Sequence, residues 1–179
     1  MNKPAKLESH QKVAPALDTP SDLSQEATTE ISAALNGILA DSFALYLKTK
    51  NFHWHVSGPH FRDYHLMFDE QAAEVLGTTD EIAERVRKIG GTTLRSIAQI
   101  SKLQSLHDNE ESFVPAHEML RELMNDNKAV VKTMREAHEI ADKHDDSATA
   151  SLLENFIDAA EKRTWFLFEA GRAAGDNVK

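Results

Sequence analysis

Apolar residues recur at helical spacing between Phe61 and Ile89, three or four positions apart except for one gap of seven, over about eight turns of a helix. Gly90 and Gly91 follow and predict the end of this helix, since glycine is favoured just beyond a helix C-terminus. So long a stripe must be buried against other helices, which predicts a helical bundle. Its members are Phe61, Tyr64, Phe68, Ala72, Val75, Ile82, Val86 and Ile89.

Three further segments have helical periodicity, and no segment has the alternation of a strand. The predicted elements are a helix from a cap at Ser21 or Ser24 to about His55, the helix 61–89, a short helix within 92–109, a helix from near Pro115 to the polar residues 144–147, and a last helix to about Gly171. The prediction is an all-α four-helix bundle over 23–174, with a short extra helix in the long connection and tails at 1–22 and 175–179.

Composition narrows the functional classes. No apolar run approaches the roughly 20 residues that span a membrane, and the first residues lack the pattern of a secretion signal. The chain has no cysteine, which excludes disulfides and thiolate ligands and leads us to expect a cytoplasmic protein. The net charge of −9 disfavours a general nucleic-acid binder and suits a surface that attracts cations.

Four possible metal ligands share one face of the second helix: His65, Asp69, Asp80 and Glu84. At about 100° per residue they fall within an arc of roughly 100°, beside the bundle stripe rather than on it. The residues between them in this arc are small or apolar, namely Leu66, Ala73, Leu76 and Gly77. A helix that is apolar on two faces is buried on both, so we expect this face to meet a partner.

The spacing of the ligands predicts what the partner is. His65 and Asp69 are one turn apart, as are Asp80 and Glu84, but the two pairs are separated by roughly 16 Å along the axis. One ion cannot contact both pairs in one chain. The two sets share a midpoint between residues 74 and 75, so two antiparallel copies would place His65 opposite Glu84 and Asp69 opposite Asp80.

A cation is needed between such facing carboxylates, which otherwise repel each other. Mixed imidazole and carboxylate ligands suit iron, manganese or zinc better than calcium or magnesium. The alternative for each residue alone is a solvated charged face, the usual use of acids on helices. His55 forms a His-x-His with His53, but their side chains point about 200° apart on a helix, which favours a surface role for His55.

Several motifs resemble the signature of the Dps family of ferritin-like proteins. They are Lys50-Asn51-Phe52-His53-Trp54, then Gly58, Phe61, His65, Asp69, Asp80 and Ala83-Glu84-Arg85, the paired Gly90-Gly91, and Trp165-Phe166 near the C-terminus. The resemblance covers about residues 24 to 172. It implies a ferritin-like bundle in a hollow shell of twelve subunits, in which iron is oxidised, usually by hydrogen peroxide, and stored.

The resemblance also implies roles for single residues. His53, His65 and Asp69 would bind iron from one subunit, and Asp80 and Glu84 from its two-fold mate. Trp54 would donate electrons near the site, with interface packing as its alternative role. The acidic residues Asp142, Asp145 and Asp146 predict a solvated helix end; the alternative is a pore for iron entry, because the family has acidic channels on its three-fold axes.

Three other functions compete with iron oxidation and storage. DNA compaction is the family's second activity, often through a lysine-rich tail, but here Lys3, Lys6 and Lys12 are balanced by nearby acids, so DNA is a weakly supported partner. A bundle with its di-iron site inside one subunit would use Glu-x-x-His pairs, and no histidine follows a glutamate at that spacing. A bundle without metal chemistry leaves the mirrored ligand spacing unexplained.

Overall fold

The computed structural model describes residues 13–172, and within this range all regular structure is helical. The helices are α1 (Gln25–His55), α2 (Phe61–Lys88), α3 (Ile97–Leu103), α4 (Ala116–Lys143) and α5 (Ser147–Ala170), preceded by a single 3-10 turn, Pro15–Leu17. The predicted four long helices and the short helix in the long connection are confirmed. Within residues 13–172, no helix is both long and apolar enough to cross a membrane.

The core lies between two pairs of long helices. α1 packs along α2, α4 packs along α5, and α1 also packs on α4. The bundle stripe of α2 is buried as predicted from Phe68 onward, with Phe68, Ala72 and Ile82 fully inaccessible, but Phe61 in the first turn is 46% exposed and Tyr64 is only partly buried. The other large side chains that are fully buried are Ile31, Leu35, Ile38, Leu39, Leu45, Phe52, Met119, Leu120, Leu123 and Leu153.

The ends of the long helices follow local chemistry. The Ser24 hydroxyl accepts a hydrogen bond from the Ala27 N–H and caps α1. α2 ends at Lys88, and Gly90 just beyond it has a φ of 88°, in the left-handed region that favours glycine. Gly91 is required by packing instead, since a Cβ there would lie 2.1 Å from the Ser32 hydroxyl. These contacts fix the exit of the chain from α2 into the long connection.

A buried carboxylate anchors this connection between α2 and α4. Asp41, on α1, accepts hydrogen bonds from the backbone N–H of Ser105 at 2.5 Å and of Leu106 at 3.1 Å, and from the Ser105 hydroxyl at 2.7 Å. Asp41 is only 2% exposed and Leu106 is buried, so water cannot readily replace the carboxylate at the Leu106 N–H. The carboxylate thereby holds the segment after α3 against the bundle.

We expect Asp41→Ala to lower the free energy of unfolding by about 1–3 kcal/mol, because it leaves the buried Leu106 N–H without an acceptor and removes the two hydrogen bonds from Ser105. Asp41→Asn keeps an acceptor oxygen at the same place and is expected to cost less. Urea unfolding followed by circular dichroism measures both variants at one protein concentration. A loss below about 0.5 kcal/mol for the alanine variant, within the usual range for surface substitutions, would show that the anchor is unimportant.

The turn between α4 and α5 corrects one prediction. Asp142 and Asp145 are exposed, as expected for a solvated helix end, but Asp146 is 4% exposed. Its carboxylate accepts from the Thr149 N–H at the start of α5 and pairs with Arg85 of α2 at 2.5 Å. The prediction was wrong for Asp146 because the sequence does not distinguish an aspartate that caps a helix and pairs with a distant arginine from an aspartate in solvent.

Candidate metal centre

Two histidines from different helices orient each other. His53 lies in the last turn of α1 and His65 near the start of α2. His53 Nδ1 is 2.7 Å from the His65 carbonyl oxygen, and His65 Nδ1 is 2.8 Å from the His53 carbonyl oxygen. A carbonyl only accepts, so both Nδ1 atoms donate and carry hydrogen. In the neutral rings, which stack with centroids 3.8 Å apart, each Nε2 is then free to bind a metal.

Asp69 lies beside this pair. Its Oδ1 is 4.0 Å from His53 Nε2. Two ligand atoms bonded to one ion at about 2.1 Å each lie about 3.0–3.4 Å apart in octahedral or tetrahedral coordination, so a shared ion would require the Asp69 side chain, which is 54% exposed, to move closer to His53. Lys50 donates to the same Oδ1 at 2.6 Å, and this hydrogen bond holds the pKa of the Asp69 carboxyl below its ordinary value against the opposing effect of desolvation. The structure thus brings His53, His65 and Asp69 together as candidate ligands from two helices.

The second pair of carboxylates lies further along α2 and does not reach the first. Asp80 and Glu84 are exposed, and Glu84 pairs with Lys88 in its own helix at 3.0 Å. Eleven residues separate Asp80 from Asp69, which is roughly 16 Å of helix. Among residues 13–172 of a single chain, no three His, Asp or Glu side chains converge on a possible metal position.

The surface of α2 between the two halves is apolar and uncovered. Leu66 and Leu76 are 40% and 41% exposed, and Ala73 and Gly77 are exposed beside them. A Cβ built on Gly77 meets no atom within 4 Å, so packing in its own chain does not require glycine there. Glycine within a helix costs roughly 0.5–1 kcal/mol relative to alanine. The second apolar face predicted for α2 is therefore present in the structure.

Comparisons with known proteins identify the family. The model of the ferritin-like domain matches residues 32–170. The DNA protection during starvation protein of Brevibacillus brevis is 36% identical over 139 residues, which cover 76% of this chain and 91% of that protein. The chain belongs to the Dps family of ferritin-like proteins. The resemblance inferred from the signature residues is thus confirmed.

Solved structures of Dps proteins share the fold. A Dps protein from Bacillus brevis superposes with a TM-score of 0.80 at 32% identity, covering 84% of this chain and all of that one. Dps from Thermosynechococcus elongatus superposes with a TM-score of 0.80 at 28% identity, covering 87% of this chain and all of that one. The predicted ferritin-like bundle is therefore confirmed.

The structure tests only some of the roles predicted for the remaining residues of this Dps-family chain. Trp54 follows His53 directly and is 58% exposed at the surface, while its role as an electron donor stays a prediction. His55 is exposed and bonds through Nδ1 to the Asn51 carbonyl at 2.8 Å, away from His53 as predicted. Lys3, Lys6 and Lys12 lie outside the described residues, so their contact with DNA also stays a prediction.

Sequence reasoning missed the part that Lys50 plays in this site. The residue belongs to the signature, but its ion pair with Asp69 depends on how α1 crosses α2. The available signal was its position one helical turn before His53, which puts both side chains on one face of α1.

Proposed function

We propose that this chain oxidises Fe(II), with hydrogen peroxide as oxidant, and stores the product in a hollow homo-oligomeric shell in the cytoplasm. The reaction would protect the cell because it consumes iron and peroxide together. The observation that carries the proposal is the exposed face of α2. It bears candidate ligands toward each end and an uncovered apolar surface between them.

A two-fold contact between this face and the same face of a second copy would complete the sites, because each chain supplies the ligands that the other lacks. With α2 crossing its mate in antiparallel orientation near residues 74 and 75, His53, His65 and Asp69 of one chain face Asp80 and Glu84 of the other. The contact repeats itself by symmetry, so each pair of chains carries two equivalent sites. The absence of a side chain at Gly77 allows the helices to approach closely.

The donor set fits iron as substrate. Two imidazole nitrogens and carboxylate oxygens from two chains are hard and intermediate donors, which suit Fe(II) better than calcium or magnesium. The reciprocal hydrogen bonds of His53 and His65 hold both rings in the tautomer that presents Nε2. The carboxylates of Asp69, Asp80 and Glu84 stabilise Fe(III) more than Fe(II), since the ferric ion carries more charge. Two Fe(II) ions would each give up one electron, and one hydrogen peroxide would take up both electrons and two protons, break its O–O bond and leave as two water molecules.

Further exposed apolar surface supports an assembly larger than a dimer, for which we propose the twelve-subunit shell of the family. Trp165, Phe166 and Phe168 of α5 are 61%, 44% and 52% exposed. Large apolar side chains grouped in this way are typical of protein interfaces. This surface belongs to α5, whereas the proposed two-fold contact uses α2, so it is available for a second kind of contact.

The test adds Fe(II) without oxygen, then peroxide, and follows ferric absorbance. We expect Asp80→Ala/Glu84→Ala to oxidise iron at least about tenfold more slowly than the wild type, because each site loses its second half. Glu110→Ala/Glu111→Ala is the control, since it removes the same charge from exposed positions in the connection after α3. Equal rates in the wild type and the Asp80/Glu84 variant would refute the assignment.

A further inference from the structure

Lys50 places a positive charge inside the half-site. Its side chain is 18% exposed, and Nζ lies 2.6 Å from Asp69 Oδ1. This is the same oxygen that lies 4.0 Å from His53 Nε2. Lys50 and His53 share a face of α1, whereas Asp69 belongs to α2, so the ion pair ties the two helices together at the metal position.

The ammonium group and a metal ion compete for one oxygen. A metal bound by His53 Nε2 and Asp69 Oδ1 would coordinate the oxygen that now accepts the hydrogen bond from Lys50. We propose that Lys50 is a built-in competitor, which occupies Asp69 in the metal-free site and is displaced when metal binds. This inference rests on the proposed function, because it assigns a step in the loading of the same site.

The carboxylates around the site explain why a competing cation would be useful before metal binds. In an unloaded two-fold interface, Asp69 would face the acidic pair of the other copy, and like charges at such a contact repel. The ammonium of Lys50 balances one of these charges until metal arrives. Loading is then an exchange of cations, and it avoids an interface with unpaired carboxylates.

Lys88 offers a matched comparison. It also pairs with a proposed ligand, Glu84, at 3.0 Å, but both side chains belong to one helix and are 60% and 58% exposed. Water and salt screen such a pair, so its displacement costs little. Only the lysine that is covered by both helices is therefore expected to change metal affinity measurably.

The fluorescence of Trp54 can report the displacement of the Lys50 ammonium group. Lys50 Nζ lies 5.8 Å from the centroid of the Trp54 ring, so the indole senses the ammonium charge. The chain has two tryptophans, Trp54 and Trp165. In a Trp165→Phe background, emission reports on Trp54 alone.

The experiment titrates the assembled protein with Zn²⁺, which has no redox chemistry, by calorimetry and by fluorescence in the Trp165→Phe background. Lys50→Gln is expected to bind Zn²⁺ roughly two- to fivefold more tightly than the parent. Lys88→Gln should bind as the parent does, and Lys50→Arg, which keeps the charge, no more tightly. Saturating Zn²⁺ should shift Trp54 emission in the parent, and by much less in Lys50→Gln.

Two results would overturn the inference: unchanged or weaker Zn²⁺ binding by Lys50→Gln, or Trp54 emission in the parent that saturating Zn²⁺ leaves unmoved. Asp80→Ala/Glu84→Ala separates this failure from failure of the proposed function. If that variant binds Zn²⁺ like the parent, the shared site is wrong and the inference falls with it. If it loses binding while Lys50→Gln matches the parent, the shared site stands and the competitor role alone is refuted.

Discussion

Replacing Gly77 by glutamine is expected to yield a folded chain that no longer binds metal tightly, although every proposed ligand remains. Within its own chain the new side chain meets open space, since a Cβ at Gly77 has no neighbour within 4 Å. Helix α2 should even gain stability, because glutamine is a better helix former than glycine. Against a second copy the same side chain blocks close approach, and each half-site then lacks its mate.

The measurement combines sedimentation with calorimetry. We expect the two-fold contact to be lost and the dissociation constant for the first metal ion to rise at least about a hundredfold, as a site left with half its ligands requires. Circular dichroism confirms that the helices are intact, and Ala73→Gln provides a second variant of the same contact. Ala129→Gln, on an exposed position of α4, is the control and should leave size and affinity unchanged.

A dissociated Gly77→Gln chain that still binds metal tightly and stoichiometrically would contradict the shared site. So would an intact assembly with normal sites, because the α2 face would then not be the contact. The effect is expected to be large because each site loses the ligands of the second copy, although no ligand residue is substituted.

The long helices could be predicted because their periodicity is strong and their ends have local signals. Ser24 caps α1, and Gly90 lies just beyond the end of α2 with a positive φ, both as expected from residue type. The second face of α2 was predictable in the same way, because angular position on a helix follows from residue number alone. The positions of the candidate ligands on α2 therefore followed from the sequence without any knowledge of tertiary structure.

Contacts between elements were not predictable from these patterns. Three hydrogen bonds depend on the angle at which α1 meets α2: the reciprocal pair between His53 and His65, and the bond from Lys50 to Asp69. The burial of Asp41 and Asp146 likewise depends on the path of a connection and a turn. Charge and polarity in the sequence indicate exposure on average, and a carboxylate that accepts several hydrogen bonds in the interior departs from that average.

Mixing two inactive variants is expected to restore metal sites. His53→Ala/His65→Ala removes both imidazoles from one half of every site and leaves only Asp69 there, and Asp80→Ala/Glu84→Ala removes the other half. When the two chains are co-expressed and pair at random, half of the two-fold contacts are mixed. Each mixed contact has one site with both halves intact and one with neither, so about a quarter of the wild-type sites should return.

Metal stoichiometry and peroxide-dependent Fe(II) oxidation of the co-expressed assembly therefore test whether the site is shared between chains. Each variant expressed alone gives the baseline, and size measurements confirm that both variants assemble. Recovery of about a quarter of wild-type tight binding, with matching oxidation, is the predicted result. Recovery no greater than the baseline, from mixed assemblies of normal size, would contradict a site built from two copies of this chain.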